Sequence, residues 1–292
     1  MKIQTDCVPC LLKRIVFESE ICTDDKKLRI KTLKKCLNLL AKLYTPDSSS
    51  VSVATPVHKL AYETLGNKDP YKDLKEKANK AALKLVPRIE ELIGVCEDPL
   101  RMSMLASIVG NMMDFGIAGA SSDPEDLIDI FERTVEEDIG YDDYAKLKKI
   151  ISNSENIVLF TDNCGEIIFD KILCREIKKF NPKIHLTLVV KGASILSDAT
   201  MQDAIEFGLD EVVDEILTTG CFAVGVDFEK LPKKVLKLLD NVDIIICKGM
   251  GNYEAFSETD YKPIAYLMRT KCSAIANSMK VPTNINVIKV YD

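Results

Sequence analysis

The sequence has little of what several common catalytic designs require. Among its 292 residues there is no tryptophan, and there are only two histidines, His58 and His185. Neither histidine has a companion at metal-ligand spacing, so the sequence argues against a histidine-rich zinc site and disfavours a Ser-His-Asp triad. Because His58 follows Thr55-Pro56 at a predicted helix start, we expect it to be a surface or capping residue.

Long hydrophobic runs and strongly basic stretches are also missing. The N-terminal segment MKIQTDCVPC lacks the apolar core of a signal peptide, and no apolar run is long enough for a transmembrane helix. The formal net charge is -6, and no segment is basic enough to bind a nucleic-acid backbone. We therefore expect a cytoplasmic protein that binds neither nucleic acid nor membranes. The oligomeric state is left open.

Ten cysteines are scattered along the chain. Without a secretory signal, reduced thiols are a better expectation than a disulfide framework. Cys7 and Cys10 form the CxxC pair, which is half of a zinc site or a redox pair, and a distant cysteine such as Cys272 could assist it. Two small buried thiols on a helix face is an equally good interpretation.

The two halves of the chain differ in hydrophobic periodicity. Up to about residue 150, segments such as LRIKTLKKCLNLLAKLY repeat apolar residues at steps of three and four, which predicts helices. The loop TPDSSSVS could divide this region, 1–150, into two lobes near 45–55. Over 151–292, short apolar runs alternate with helical segments, which predicts an α/β domain with a mainly parallel sheet covered on both faces.

Six apolar runs in the second half are candidate strands, at 156–161, 184–190, 211–217, 242–247, 273–277 and 285–290. Between the first four lie EIIFDKILCREIKKF and DATMQDAIEFG, whose periodicity predicts helices. The last two runs are too close together for a crossover helix, so their pairing is left open.

Polar residues collect where the predicted strands end. The first strand runs into TDNCGE, the second into KGASILSDAT and the fourth into KGMGNYE. Ligands of open α/β sheets bind beyond the carboxyl ends of the strands, so we expect Asp162, Asn163 and Asp198 to converge. Three oxygen ligands suit a hard divalent cation such as magnesium or manganese.

The end of the fourth strand adds groups that could hold a phosphate. Lys248 supplies a positive charge, and Gly249 allows backbone N–H groups to approach phosphoryl oxygens closely. A metal, a lysine and amide donors are the parts that phosphoryl chemistry needs. The simpler alternative is that Asp162-Asn163 and Asp198 only cap the helices that follow them. Their coincidence at successive strand ends favours a site.

Four blocks in order, GNMMDFG (110–116), TDNCGEIIFD, VKGASILSDAT and KGMGNYE, resemble the DUF89 family of metal-dependent damage-control phosphatases. The N-terminal DCVPC is similar to the CxxC-bearing subfamily I of archaea and bacteria, and the resemblance covers essentially the whole chain. It implies a helical N-terminal region packed on a Rossmann-like three-layer α/β/α domain. Ser197 and Cys164 stand where many relatives have Asn and Ala, and neither change removes a ligand.

The resemblance also implies residue roles. A divalent metal (Mn, Ni, Mg or Co) would be held by Asp162, Asn163 and Asp198. Lys248 would contact the phosphate as a catalytic group together with Asp162. The substrate-binding residues would be Asn111, Asp114, Glu166, Gly249, Asn252 and Glu254. Asn111 and Asp114 are three apart on one predicted helix and therefore share a face.

We therefore expect a metal-dependent phosphatase that hydrolyses phosphorylated metabolites, such as damaged nucleotides or sugar phosphates, with a metal-activated water. A phosphoaspartyl route through Asp162 is the rival, although Cys164 stands where haloacid dehalogenase enzymes have their second Asp. A dinucleotide enzyme or methyltransferase is disfavoured because the first turn lacks a GxGxxG pattern. The remaining alternative is a non-catalytic or redox/metal-binding module organised around Cys7-x-x-Cys10.

Overall fold

The computed structural model describes residues 1–111 and 131–292. The first part is helical, with α1 Cys7–Cys22, α2 Lys26–Leu43, α3 Ser50–Leu65, α4 Lys72–Val95 and α5 Pro99–Gly110. Residues 131–136 are helical as well. The predicted helical character of this region is confirmed. The division of the chain near residue 150, and of the helices near 45–55, stays a prediction.

Helix α5 shows how local sequence positions a later functional residue. Asp98 caps it by accepting a hydrogen bond from Arg101 N at 3.2 Å, and Pro99 occupies the first turn. Nearly every residue of the helix is buried, from Leu100 to Gly110. A helix covered on all sides can deliver the residue at its C-terminal end, Asn111, to the protein interior.

In the described residues, seven strands form one sheet. They are β1 Tyr141–Asp142, β2 Asn156–Phe160, β3 His185–Val190, β4 Glu215–Thr218, β5 Ile244–Lys248, β6 Ile264–Arg269 and β7 Asn286–Tyr291. Their order across the sheet is β1-β7-β6-β5-β2-β3-β4. Neighbours are parallel except β6 and β7, which are antiparallel. The predicted mainly parallel sheet is confirmed.

Helices cover both faces of the sheet. They are α6 Tyr144–Asn153, α7 Glu166–Phe180, α8 Met201–Glu206, α9 Lys233–Leu239, α10 Gly249–Phe256 and α11 Ser273–Met279. Along β2, Ile157 and Leu159 join the hydrophobic cluster shared with α4, α5 and α7, while Val158 and Phe160 join the cluster on the opposite face. This alternation gives the three-layer α/β/α arrangement that the resemblance implies.

One predicted strand is wrong, and one strand was not predicted. The run 273–277 forms α11, because SAIAN is a short apolar run whose alanines favour a helix and whose length does not separate helix from strand. Strand β6, over 264–269, was not predicted, and it provides the antiparallel partner of β7. No helix within 1–111 and 131–292 has the length and apolar character needed to cross a bilayer.

The strand order creates a crevice at the carboxyl ends of β2 and β5. From β2 the chain proceeds to β3 and β4 on one side, and it then crosses to β5 on the other side of β2. The connections that leave β2 and β5 therefore diverge, which is the topological switch point where open α/β sheets bind ligands. Asp162 follows β2 at this crevice, and Gly249 follows β5.

Candidate active site

Asp162, Asn163 and Asp198 lie together at the carboxyl ends of β2 and β3. Asn163 and Asp198 form an isolated antiparallel bridge, and Ala199 N donates a hydrogen bond to Asp162 O at 2.8 Å. The side chains line one cavity of about 640 Å³. The structure thus brings the three residues together across 35 positions of sequence, and their role as metal ligands stays a prediction.

Asp162 lies among negative charges. Only 9% of it is exposed, and burial raises the pKa of its carboxyl well above the ordinary value, with further contributions from Asp198 and Glu166. Its Oδ2 accepts hydrogen bonds from Asn111 Nδ2 at 2.8 Å and from Asn163 Nδ2 at 2.6 Å. Among the residues that the structure describes, no Lys or Arg lies within ion-pair distance of Asp162. A cation would compensate this charge.

The donors present fit a hard divalent cation. Asp162 and Asp198 offer carboxylate oxygens, and Asn163 offers a carboxamide whose Oδ1 accepts a hydrogen bond from Ser197 Oγ at 2.7 Å. No group of three or more His, Cys, Asp or Glu side chains in the described part of the chain is arranged to hold a metal. The candidate set therefore needs Asn163, and it is of the oxygen type that magnesium or manganese prefers.

Lys248 lies behind the cavity. It is fully buried, and its Nζ lies 2.5 Å from Glu166 Oε1 and 2.7 Å from Asp170 Oδ1. Burial alone would lower the pKa of Lys248, but the two carboxylates outweigh it and raise that pKa. Burial also raises the pKa of Asp170, to about 6. Lys248 is absent from the described lining of the cavity, so this geometry does not favour the direct phosphate contact expected for it.

Glu166 joins this buried pair to the front of the site. Its Oε2 accepts hydrogen bonds from Asn111 Nδ2 at 2.7 Å and from Asn163 N at 3.3 Å, while Oε1 faces Lys248. Glu166 is itself fully buried. A chain of contacts therefore runs from Lys248 through Glu166 to the two carboxamides that touch Asp162, and such outer contacts fix the orientation of ligating side chains.

The turn after β2 is also held from the helical half of the chain. Asn79, on α4, accepts a hydrogen bond from Gly165 N at 2.6 Å through its Oδ1. Gly165 has φ 81° and directly precedes α7 as its N-cap residue, so the turn depends on a residue that tolerates a positive φ. Asn79 and Asn111 thus brace the turn that carries Asp162 and Asn163.

Lys191 is a site residue that the sequence reading missed. It is 3% exposed, and its Nζ lies 3.3 Å from Asp198 Oδ2 and 2.6 Å from Gly225 O. The signal that could have found it is the Lys-Gly dipeptide, which directly follows β3 at Lys191 and begins at the last residue of β5, Lys248. Each of these lysines is paired with a buried carboxylate of the site.

The remaining predicted substrate-binding residues differ in position. Asn111 and Glu254 line the cavity, and burial raises the pKa of Glu254 to about 7. Asn252 is 1% exposed and donates to Thr161 O at 2.9 Å, which places it behind the cavity wall. Gly249, with φ 72°, begins α10 next to Asp162. Asp114 lies outside the described residues.

The CxxC pair lies on the same cavity. Cys7 and Cys10 are in the first turn of α1, and both line the cavity together with Cys272. Burial raises the pKa values of Cys7 and Cys272, which favours their neutral thiol forms. Three cationic side chains, Lys13, Arg14 and Lys271, line the same cavity.

His58 is not a surface or capping residue. Helix α3 begins at Ser50, where Ser49 accepts a hydrogen bond from Ser52 N, and Pro56 lies inside the helix. His58 is therefore in the middle of α3, where it is 2% exposed and lines the cavity. The expectation failed because Ser49, rather than Thr55, supplies the helix cap.

Comparisons with known proteins agree over the whole chain. The family profile described as "Damage-control phosphatase ARMT1-like domain" matches residues 3–287. A protein named damage-control phosphatase from Archaeoglobus fulgidus is 38% identical over 292 residues, covering 100% of both chains. An uncharacterized protein of Methanocaldococcus jannaschii is 35% identical, over 99% of this chain and 95% of the relative. The crystal structure of a DUF89 family protein from Pyrococcus horikoshii superposes over 100% of both chains with a TM-score of 0.90, at 29% identity.

Proposed function

The chain belongs to the ARMT1-like (DUF89) family of damage-control phosphatases, and we propose that it is a metal-dependent phosphoric monoester hydrolase that acts on small phosphorylated metabolites. The observation that carries the proposal is the placement of Asp162, Asn163 and Asp198 on one cavity at the carboxyl ends of β2 and β3. The volume of this cavity, about 640 Å³, is within the usual range for small-molecule sites.

Asp162, Asn163 and Asp198 would hold the divalent cation, which we expect to be Mn, Ni, Mg or Co. When bound, the cation would neutralise charge on a phosphate oxygen and lower the pKa of a water that serves as the nucleophile. Glu166 supports this arrangement from behind by fixing Asn163 and Asn111.

The chain's own cations have two different tasks in this proposal. Lys13, Arg14 and Lys271 line the cavity, so they attract an anionic substrate and orient it. Lys191 lies 3.3 Å from Asp198 and limits the negative charge of the ligand set. We assign Lys248 a positioning role, because its partners are Glu166 and Asp170.

The phosphoaspartyl route through Asp162 has less support. Asp162 Oδ2 is engaged by two carboxamide donors, and the position two residues later is Cys164, a buried thiol. We expect no covalent adduct on Asp162 when the enzyme is incubated with magnesium and beryllofluoride or is acid-quenched during turnover. A trapped acyl phosphate, or a stable beryllofluoride adduct, would contradict the water mechanism.

The proposal is tested with p-nitrophenyl phosphate, sugar phosphates and nucleotides, each with manganese, nickel, magnesium or cobalt and with a chelator. We expect turnover only with metal, and a fall in kcat/KM of at least about a hundredfold in Asp198→Asn. Manganese binding, followed by electron paramagnetic resonance, should weaken in the same variant. Asp210→Asn is the matched control, since Asp210 is an exposed carboxylate outside the cavity lining. Equal activity with chelator would reject the proposal.

A further inference from the structure

One of the two histidines forms a buried pair that the proposed chemistry does not use. His58 on α3 and Glu18 on α1 are 2% and 0% exposed, and His58 Nδ1 lies 2.7 Å from Glu18 Oε1. Tyr71 Oη lies 3.4 Å from the same carboxylate oxygen. Taking two ionisable groups out of water is costly, and an apolar pair of similar size would serve packing at least as well. The pair therefore invites a functional explanation.

The contact with Glu18 leaves the other imidazole nitrogen available. Nδ1 lies in close contact with Glu18 Oε1 but is buried without an aligned hydrogen bond, and in the part of the chain that the structure describes no hydrogen bond engages Nε2 of His58. The side chain forms part of the wall of the cavity that also contains Asp162 and Asp198. An imidazole that contacts a carboxylate through one nitrogen, in a side chain that lines a cavity, can bind a ligand through its other nitrogen.

Helix α3 also ties His58 to the loop that carries the proposed metal ligands. Tyr62 is four residues after His58, so the two side chains lie on the same face of the helix, one turn apart. Leu196 N donates a hydrogen bond to Tyr62 Oη at 3.0 Å, and Leu196 precedes Asp198 by two residues. His58 is therefore one helical turn from the residue that holds the Asp198 loop.

We propose that His58, oriented by Glu18, binds the organic part of the phosphoester through Nε2 and so contributes to substrate selection. The inference rests on the proposed function, because it places the phosphate at Asp162, Asn163 and Asp198. The substrate class is a phosphoester whose organic part carries a hydrogen-bonding atom beyond the phosphate. The neighbouring side chains Leu11, Phe17 and Ala54 give that part an apolar wall.

Steady-state kinetics with p-nitrophenyl phosphate, with inorganic phosphate as competitive inhibitor, test the proposal. In His58→Gln we expect KM to rise about tenfold, as for the loss of one hydrogen bond, while kcat and the inhibition constant of phosphate change less than twofold. Glu18→Gln should raise KM by a smaller factor, since the imidazole remains. His185→Gln, which alters the exposed histidine at the start of β3, should leave all three constants unchanged. A purely structural role would instead lower kcat or move both constants together, and either result overturns the proposal.

Nuclear magnetic resonance provides a test on the unmutated protein. The chain has two histidines, so the imidazole ring protons give two sets of signals. The set that is absent from the spectrum of His185→Gln belongs to His185. With magnesium present, 4-nitrobenzylphosphonate, whose nitro group can accept a hydrogen bond, should shift the His58 signals and leave those of His185 in place, whereas inorganic phosphate should shift neither set. Equal responses to both ligands would refute the role of His58. If the wild-type protein shows no metal-dependent turnover, the proposed function fails, and this experiment still decides the inference.

Discussion

Gly249 stands so close to Asp162 that the position of a Cβ atom on Gly249 would lie 2.8 Å from Cβ of Asp162 and would overlap its Oδ2. Gly249 also has φ 72°, in the left-handed region that side chains rarely adopt. Across the switch-point crevice, the backbone at the end of β5 therefore packs directly against the Asp162 carboxylate from the turn after β2. Any side chain at 249 must move the proposed metal ligand.

We predict that Gly249→Ala displaces Asp162 and lowers both metal affinity and kcat. The strain at positive φ and the clash together should cost about 1–3 kcal/mol of unfolding free energy. Urea denaturation and manganese titration measure the two effects. Gly94→Ala is the matched control, because Gly94 lies in α4 with open space around it, and the change should be neutral or stabilise by up to about 1 kcal/mol. Unchanged metal affinity in Gly249→Ala would contradict the prediction.

We predict that Lys248→Met destabilises the protein strongly, by about 3–5 kcal/mol, because Glu166 and Asp170 stay buried without their counter-ion. The double variant Lys248→Met/Asp170→Asn should recover part of the lost unfolding free energy, because it removes one of the two buried carboxylates that have lost their counter-ion. Lys234→Met, which removes an exposed ion pair with Glu215, should cost less than about 1 kcal/mol. Similar losses in both single variants would show that the buried pair has no special importance.

We predict that the titration of Glu254 makes the unfolding free energy depend on pH. Burial raises its folded-state pKa to about 7 from an ordinary value of 4.5, so the folded protein holds this proton more tightly than the unfolded chain. Below pH 4.5 both states hold the proton, and the stabilisation of the folded protein by the protonated carboxyl is fully present. As pH rises from 4.5 through 7, the unfolded chain releases the proton first, and this stabilisation is lost. Glutamine does not titrate, so the unfolding free energy of Glu254→Gln should not fall in this way. Between pH 5 and pH 8 it should rise relative to that of the wild type by up to roughly 3 kcal/mol.

This gain is measured by the unfolding free energies of both proteins at about pH 5, 6, 7 and 8, which span the expected titration. Glu206→Gln, at an exposed position, is the control and should track wild type at each pH. A difference between Glu254→Gln and wild type that stays constant with pH would show that Glu254 titrates alike in the folded and unfolded states.

The CxxC pair separates the two functional interpretations. If the chain is a phosphatase built on Asp162, Cys7→Ser and Cys10→Ser should keep metal-dependent turnover within about threefold, because neither thiol belongs to the proposed ligand set. Asp162→Ala should abolish it. A redox or metal-binding module organised around Cys7 and Cys10 gives the reverse pattern. Thiol titration with and without reductant, performed alongside the assay, shows whether the two cysteines change oxidation state.

The sequence was sufficient to locate the edge of the sheet where the residues of the candidate site lie together. Continuous apolar runs such as 156–161 indicate strands buried on both faces, and parallel strands place their C-terminal turns at one edge. Asp162 and Asp198 could therefore be paired from their positions after strands, although 35 residues separate them in the printed sequence.

The sequence was not sufficient where a residue's environment depends on distant helices. The sequence did not show that Lys248 is enclosed by Asp170 from α7 and by Ser107 O from α5, the latter at 3.2 Å. Its expected contact with the phosphate stays a prediction. His58 looked like a surface or capping residue because it follows Thr55-Pro56, and the sequence did not show its contact with Glu18, which is on another helix. Burial of a charged group is a property of the assembled core, and no local pattern reports it.

The hydrogen bond from Gly165 N to Asn79 has a practical consequence for dissecting this protein. A fragment of residues 151–292 would contain Asp162, Asn163 and Asp198, yet it would lack both Asn79 and Asn111, which brace them. Neither half of the polypeptide would then be active by itself. Recovery of turnover after two separately produced halves are mixed would report the formation of these contacts between them.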